Sequence, residues 1–174
     1  MKPYRQGDLD GLCGAYAVIN AMRLISKNTN AEEWQDTFLK TMKFQLKHRH
    51  SISFIVYGLS QVKVARIMQR IIRPSFDFTY SRPFKNRKKI ALTELWDSFS
   101  GYLYGHDKRC IIIGYETETY DHWTIVRSMT VNRLNLFDSG GRKVLNRRRC
   151  STTELSPETP ILIDFTATFY LEGK

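Results

Sequence analysis

Cys13, His122 and Asp138 are the residues whose types and spacing could do chemistry, and that chemistry is nucleophilic attack by sulfur. Cys13 stands in Gln6-Gly-Asp-Leu-Asp-Gly-Leu-Cys-Gly-Ala-Tyr16, at the first turn of an expected helix. The positive end of a helix dipole stabilises a thiolate there, and the thiolate is the nucleophile. Gly11 and Gly14 flank it and leave room for a substrate backbone. His122, in Asp-His-Trp-Thr-Ile-Val, leads a run of β-branched residues directly after a turn, where an imidazole can project from a sheet edge. Asp138 ends the neighbouring strand before Ser-Gly-Gly, sixteen residues beyond the histidine. Two strands joined by a short turn set such positions side by side, so Asp138 could accept the imidazole hydrogen bond and set its tautomer. Each residue also has a plainer reading: a small buried residue at a helix start, an exposed turn histidine, a turn aspartate before Gly-Gly. It is their conjunction that points to a thiol, imidazole and carboxylate working together.

Other residues compete for these roles less well. Cys110 lies in the apolar run Cys-Ile-Ile-Ile and reads as a core thiol. Cys150 follows three arginines that could lower its pKa, but no histidine is near it in sequence, so it ranks as a distant second nucleophile. Asp8 and Asp10 sit close to Cys13; Asp10 is better explained as the helix N-cap. Asp121 adjoins His122, yet neighbouring strand residues point to opposite faces, which makes it a poor orienter and puts Trp123 on the face away from His122. His48 and His50 form an H-x-H without nearby cysteines or a carboxylate cluster to complete a zinc set. They read as a solvated basic helix end, and no metal site is expected.

The elements that must carry these residues follow an α+β order. Leu12 to Ile25 has apolar residues close to a helical period, and Asn28 to Asn30 ends it and starts the next helix. Ala31 to Leu46 is a second amphipathic helix with Trp34, Phe38, Met42 and Leu46 on one stripe. Tyr57 to Ile72 is a third, closed by Pro74. Phe76, Phe78 and Tyr80 then alternate as in a half-buried strand. Ala91 to Tyr104 is a further helix, opened by Thr93. Strands follow at Cys110 to Tyr115, His122 to Met129 and Arg133 to Phe137, with a hairpin over Glu116 to Asp121 and a tight turn over Ser128 to Asn132. A last strand runs from Ile161 to Tyr170. No repeat or long linker divides the chain, so one domain over 1–174 is expected, with a helical lobe over about 1–73 packed on a C-terminal antiparallel sheet over about 74–174.

The chain resembles the papain-like cysteine peptidases in three patches: Gln…Asp-Gly-Leu-Cys-Gly at the start, His-Trp-Thr-Ile-Val late, and Phe-Asp-Ser-Gly after that. The order Gln6, Cys13, His122, Asp138 is that superfamily's order. The surroundings of Cys13 and the strand after His122 are similar to compact bacterial members, the C39-type leader peptidases and the papain-fold effector and toxin peptidases. The resemblance implies a papain-like fold and a cysteine hydrolase that cleaves an amide, peptide or isopeptide bond through a thioester. In it, the Gln6 side chain and the Cys13 backbone N–H would hold the oxyanion, with no cofactor. The Cys-Gly-Ser-Cys-Trp signature of the plant and lysosomal members is absent, and their Asn-Ser-Trp is replaced by Asp138-Ser139-Gly140. The same triad would serve an acyltransferase, transglutaminase or deamidase.

Bulk properties narrow the class. The chain has 174 residues, 42% hydrophobic, a folding composition long enough to bury a core without disulfides. Three cysteines are an odd and sparse set that fits a reducing compartment. No apolar run is long enough to span a bilayer, and the N-terminus lacks a signal-peptide h-region. A cytoplasmic location is expected, with export as an effector left open. The net charge of +10 comes largely from Arg82–Lys89 and Arg142–Arg149. Such a field attracts nucleic acid or acidic surfaces, so a basic nucleic-acid-binding or adaptor domain is the non-enzymatic alternative. Solvated loops explain the tracts better, because base-reading motifs are absent. The expected partner is a protein or peptide substrate; the oligomeric state is not legible.

Overall fold

The computed structural model describes residues 1–27, 30–47 and 53–174. It is a mixed helical and sheet structure in which nearly all strand pairs are antiparallel. Helices come first: α1 (Cys13–Ser26), α2 (Ala31–Lys47), α3 (Ser53–Tyr57) and α4 (Gln61–Ile67), which continues as a π-helical turn over Met68–Ile72. Then follow β1 (Phe78–Ser81), α5 (Leu92–Leu103), β2 (Arg109–Glu116), β3 (Asp121–Thr130), β4 (Arg133–Leu136), β5 (Val144–Asn146), β6 (Cys150–Ser151) and β7 (Ile161–Gly173). The sheet order is β1-β7-β2-β3-β4-β5, with β6 alone pairing in parallel, against β7.

Strand β2 shows why the sheet is covered on both faces. Its run Cys-Ile-Ile-Ile has no polar position, and all four residues are fully buried. Cys110 and Ile112 point to the face occupied by α1, whose Ala15, Val18, Ile19 and Met22 share their cluster with Trp123 and Phe169. Ile111 and Ile113 point the other way, to Leu95, Trp96 and Phe99 of α5. Period-2 alternation alone produces this division, and each fully buried isoleucine contributes on the order of 1.5–3 kcal/mol.

Several expected elements are redrawn. The third helix is interrupted. Gly58 has a φ of 77°, and the backbone of Gly11 packs so closely that a side chain there would meet the Val56 carbonyl oxygen and the Gly58 nitrogen. The expected helix from Tyr57 to Ile72 therefore starts later: Tyr57 ends α3, Gly58–Ser60 is a loop, and α4 with its π-helical turn covers the rest. On α2 the buried line is Trp34, Thr37, Thr41 and Gln45, and Leu46 is exposed. The threonines tolerate burial because their hydroxyls donate to the carbonyls of Glu33 and Thr37, at 2.8 and 2.9 Å. Asn30 Oδ1 accepts the N–H of Glu32 and caps α2; Asn28 lies outside the described residues. Phe76 precedes β1 and stacks on Trp34. Helix α5 begins at Leu92, not Thr93, with no side-chain cap. Strand β3 runs on to Thr130, which shortens the turn before β4 to Val131 and Asn132.

The basic tracts are in part structural. Arg82 donates to the Thr166 carbonyl and to Gln61, Arg87 pairs with Glu94, and Arg147 lies over the Trp96 ring.

Candidate active site

Cys13 is the first residue of α1. The backbone N–H at that position has no carbonyl of its own helix to meet, and the helix dipole is felt most strongly there. Asp10 is not the N-cap. That position is Leu12, with no side-chain cap bond. The Asp10 carboxylate instead ties the preceding loop, accepting the N–H of Leu12 at 3.1 Å and of Gly7 at 2.8 Å. Asp8, the other aspartate near Cys13, is exposed. The close approach of Gly11 to Val56 and of Gly14 to Leu59 and Trp123 seats the helix start against the Gly58–Ser60 loop and the sheet. Trp123 locks that loop by donating its indole N–H to the Leu59 carbonyl at 2.8 Å.

His122 is the second residue of β3, and Asp138 lies just beyond β4. Phe137 still bonds to Ile125 across the two strands, so Asp138 is delivered to the same end of the sheet as His122. Nε2 of His122 stands 2.6 Å from Oδ1 of Asp138. The second carboxylate oxygen of Asp138 accepts the Arg142 backbone N–H at 2.9 Å. Both residues are buried, at 8% and 3% exposure. Burial alone would lower the proton affinity of His122, but the hydrogen bond to Asp138, the proximity of Cys13 and the charges of both raise its pKa to about 9. Burial pushes the Asp138 carboxyl up. The His122 bond and charge, the nearby Thr124 hydroxyl and the Arg142 N–H outweigh it, and the net shift is downward. Thr124 acts there by proximity, without hydrogen-bond geometry. An imidazolium facing a carboxylate is the favoured state over a wide pH range.

With Nε2 committed to Asp138, Nδ1 remains for the sulfur. Cys13 Sγ is close enough to favour the protonated ring, while its best-aligned acceptor in the resting structure is the Gly11 carbonyl at 3.9 Å. Apo sites often hold such pairs loosely. Cys13 and His122 line one cleft of about 740 Å³, together with the Val56–Gln61 segment, Gly114–Glu116 and Thr119–Trp123.

Gln6 is not among the cleft-lining residues. Its Oε1 accepts the Ser139 hydroxyl at 3.1 Å, its backbone N–H donates to the Ser139 carbonyl at 3.4 Å, and its Nε2 donates to the Asp10 carbonyl at 3.3 Å. One N–H of the amide is left over. Cys110 is fully buried and burial pushes its thiol far up; Cys150 is buried too, its pKa pushed up to about 12 chiefly by burial, against the opposing charge of Arg142. Neither lines the cleft. Trp123 points to the α1 face, as alternation requires.

Other contributors were not singled out from the sequence. Tyr115 pairs with His122 across β2 and β3, and its ring meets the imidazole edge-on at 5.5 Å. Tyr120 lies against the same ring, and its hydroxyl accepts from Arg142 at 2.9 Å. Gly140 passes so near the couple that a side chain would lie 3.3 Å from both Asp138 Oδ2 and His122 Cε1. The hairpin register was the available signal for Tyr115, because a four-residue loop between Glu116 and Asp121 dictates the pairing.

Among the described residues no group of three or more His, Cys, Asp or Glu could hold a metal ion, and His48 and His50 lie outside them. No described helix is long and apolar enough to cross a membrane. No family model matches the chain, and no curated protein matches it in sequence.

Proposed function

We propose that this chain is a cysteine hydrolase of papain-like type, acting on an amide, peptide or isopeptide bond. The observation that carries the reading is that His122 has Nε2 on Asp138 at 2.6 Å and lines one cleft with Cys13, whose proximity raises its pKa. The chain order Gln, Cys, His, Asp and the placement of a helical segment against a sheet support the papain-like assignment.

The Cys13 proton resides on His122, which rests as the imidazolium, and the thiolate adds to the substrate carbonyl. The oxyanion is held by the Cys13 backbone N–H and by the free Nε2 hydrogen of Gln6, whose amide is oriented by Ser139; such a donor is worth about 3–4 kcal/mol in the transition state. The tetrahedral adduct collapses as His122 gives its proton to the leaving amine, which departs and leaves a thioester on Cys13. A water then gives a proton to His122 and adds its oxygen to the thioester carbonyl. Collapse expels the Cys13 sulfur as a thiolate beside the His122 imidazolium and releases the acid. Asp138 stays ionised throughout, holding the ring so that Nδ1 faces the sulfur.

The test is incubation of the wild-type chain with a mixed peptide and isopeptide library, read by mass spectrometry. Cleavage with uptake of one water per bond, absent in Cys13→Ala, is the expected result. Undiminished cleavage by Cys13→Ala would refute the assignment, and transfer to an added amine would make it an acyltransferase.

A further inference from the structure

The chain carries a net charge of +10, yet no lysine or arginine lines the cleft that holds Cys13 and His122. Three carboxylates do: Glu116, Asp121 and Asp164. Their placement follows from register. Glu116 and Asp121 are direct cross-strand partners, and Asp164 pairs with Gly114, two residues before Glu116 on β2. All three therefore belong to one face and one end of the sheet. Like charges set directly opposite each other destabilise a strand pair. The Glu116 carboxyl shows the strain: its pKa is raised, by partial burial first and then by the charges of Asp121 and Asp164.

Little in the chain neutralises the group. None of the three makes an ion pair among the described residues. Arg82 is within electrostatic reach of Asp164 but spends its guanidinium on Gln61 and the Thr166 carbonyl. Asp164 Oδ1 accepts from Thr166 and Ala167, which fixes its side chain at the β7 irregularity beside Gly114. The carboxylates are too dispersed to cage a metal ion. On their own they would be an ordinary solvated rim. They become part of a site because a buried imidazole and a thiol open into the same concave space.

Resting on the reading of that space as the cleft of a cysteine hydrolase, we propose that its substrate is a basic peptide segment, whose lysine or arginine side chains lie along Glu116, Asp121 and Asp164 while its carbonyl is presented to Cys13. A positively charged protein then binds a positively charged substrate through a local field opposite to its net charge. Low-dielectric cleft walls focus such a field. The segment need not come from a different protein; a basic tract of a second copy would present the same chemistry.

The experiment uses the full chain and thiol-directed peptidyl acyloxymethyl ketones that differ only in the side chain next to the warhead: arginine, lysine, leucine or glutamate. Intact mass and peptide mapping read the labelling rate at Cys13. The expected result is roughly tenfold faster labelling by the cationic probes than by the glutamate probe at low salt. That ratio should shrink severalfold in Glu116→Gln/Asp121→Asn/Asp164→Asn and in high salt. Equal rates, an anionic preference, or a cationic preference the triple variant leaves intact would overturn the inference and leave the hydrolase reading standing. Failure of every probe to label Cys13 faster than Cys110 and Cys150 would overturn both. Should the triple variant unfold, Glu116→Gln alone, at an exposed position, replaces it with the same criterion.

Discussion

Asp138 holds His122 by Nε2, the ring nitrogen remote from the backbone, at 2.6 Å. This choice of nitrogen sets the direction of the whole site. It leaves Nδ1 as the ring nitrogen available to Cys13, fixes one tautomer in the neutral ring and leaves the carboxylate's other oxygen for the Arg142 N–H.

A direct consequence is spectroscopic. The His122 imidazole should titrate by NMR near pH 9, well above an ordinary histidine at about 6.5. In Asp138→Asn the midpoint should fall toward or below 6.5, since burial remains and its counter-charge is gone. Turnover should drop by roughly 10²-fold or more. A wild-type midpoint near 6.5 would be incompatible with the pairing.

Stability should depend on pH through the same couple. The folded-state pKa of His122 is raised, so its contribution is fully present below about 6.5 and is lost as pH rises through about 9. Asp138 is depressed, so its contribution is present above the ordinary carboxylate range and is lost as pH falls through its lowered value. Urea unfolding between pH 6 and 9 should show a loss of about 3 kcal/mol that is largely missing in His122→Ala. Equal slopes for the two proteins would exclude a charged His122 in the native state.

Gly11 should tolerate no side chain. A Cβ there would lie 2.5 Å from the Val56 carbonyl oxygen and 2.8 Å from the Gly58 nitrogen, both backbone atoms. Gly11→Ala should cost about 1–3 kcal/mol, lowering Tm by roughly 3–10 °C. An unchanged melting curve would mean that the α3–α4 loop is not seated on the α1 entry.

Gln6→Ala should reduce kcat by about 10²-fold if its free N–H meets the oxyanion. Gln6 also joins the N-terminal segment to Ser139, so Tm should be recorded alongside. A loss of stability with kcat intact would assign Gln6 to structure alone.

The parts of this molecule that sequence made legible are those governed by local periodicity and turns. The β2 and β3 strands, the hairpin between them and the α1 start are of that kind, and together they bring His122 beside Asp138 and near Cys13. What escaped is set by long-range contact. The break at Gly58 depends on Gly11, more than forty residues away. The burial of Thr37 and Thr41 in preference to Leu46 depends on how α2 rolls against its neighbours and on back-bonding that hydropathy does not register. Strands β5 and β6, of three and two residues, are too short to show any period. Asp10 reads as a cap by residue type, whereas its carboxylate faces Gly7 and Leu12 because the loop, not the helix, supplies those donors.

The most direct measurement is the rate of Cys13 carboxamidomethylation by iodoacetamide at pH 6.5, in the wild-type chain and in His122→Ala. An imidazolium beside the sulfur should make the native protein react at Cys13 at least tenfold faster than the variant, with Cys110 and Cys150 unmodified until unfolding. Indistinguishable rates at Cys13 would mean that sulfur and ring do not share a proton, contradicting the proposed chemistry.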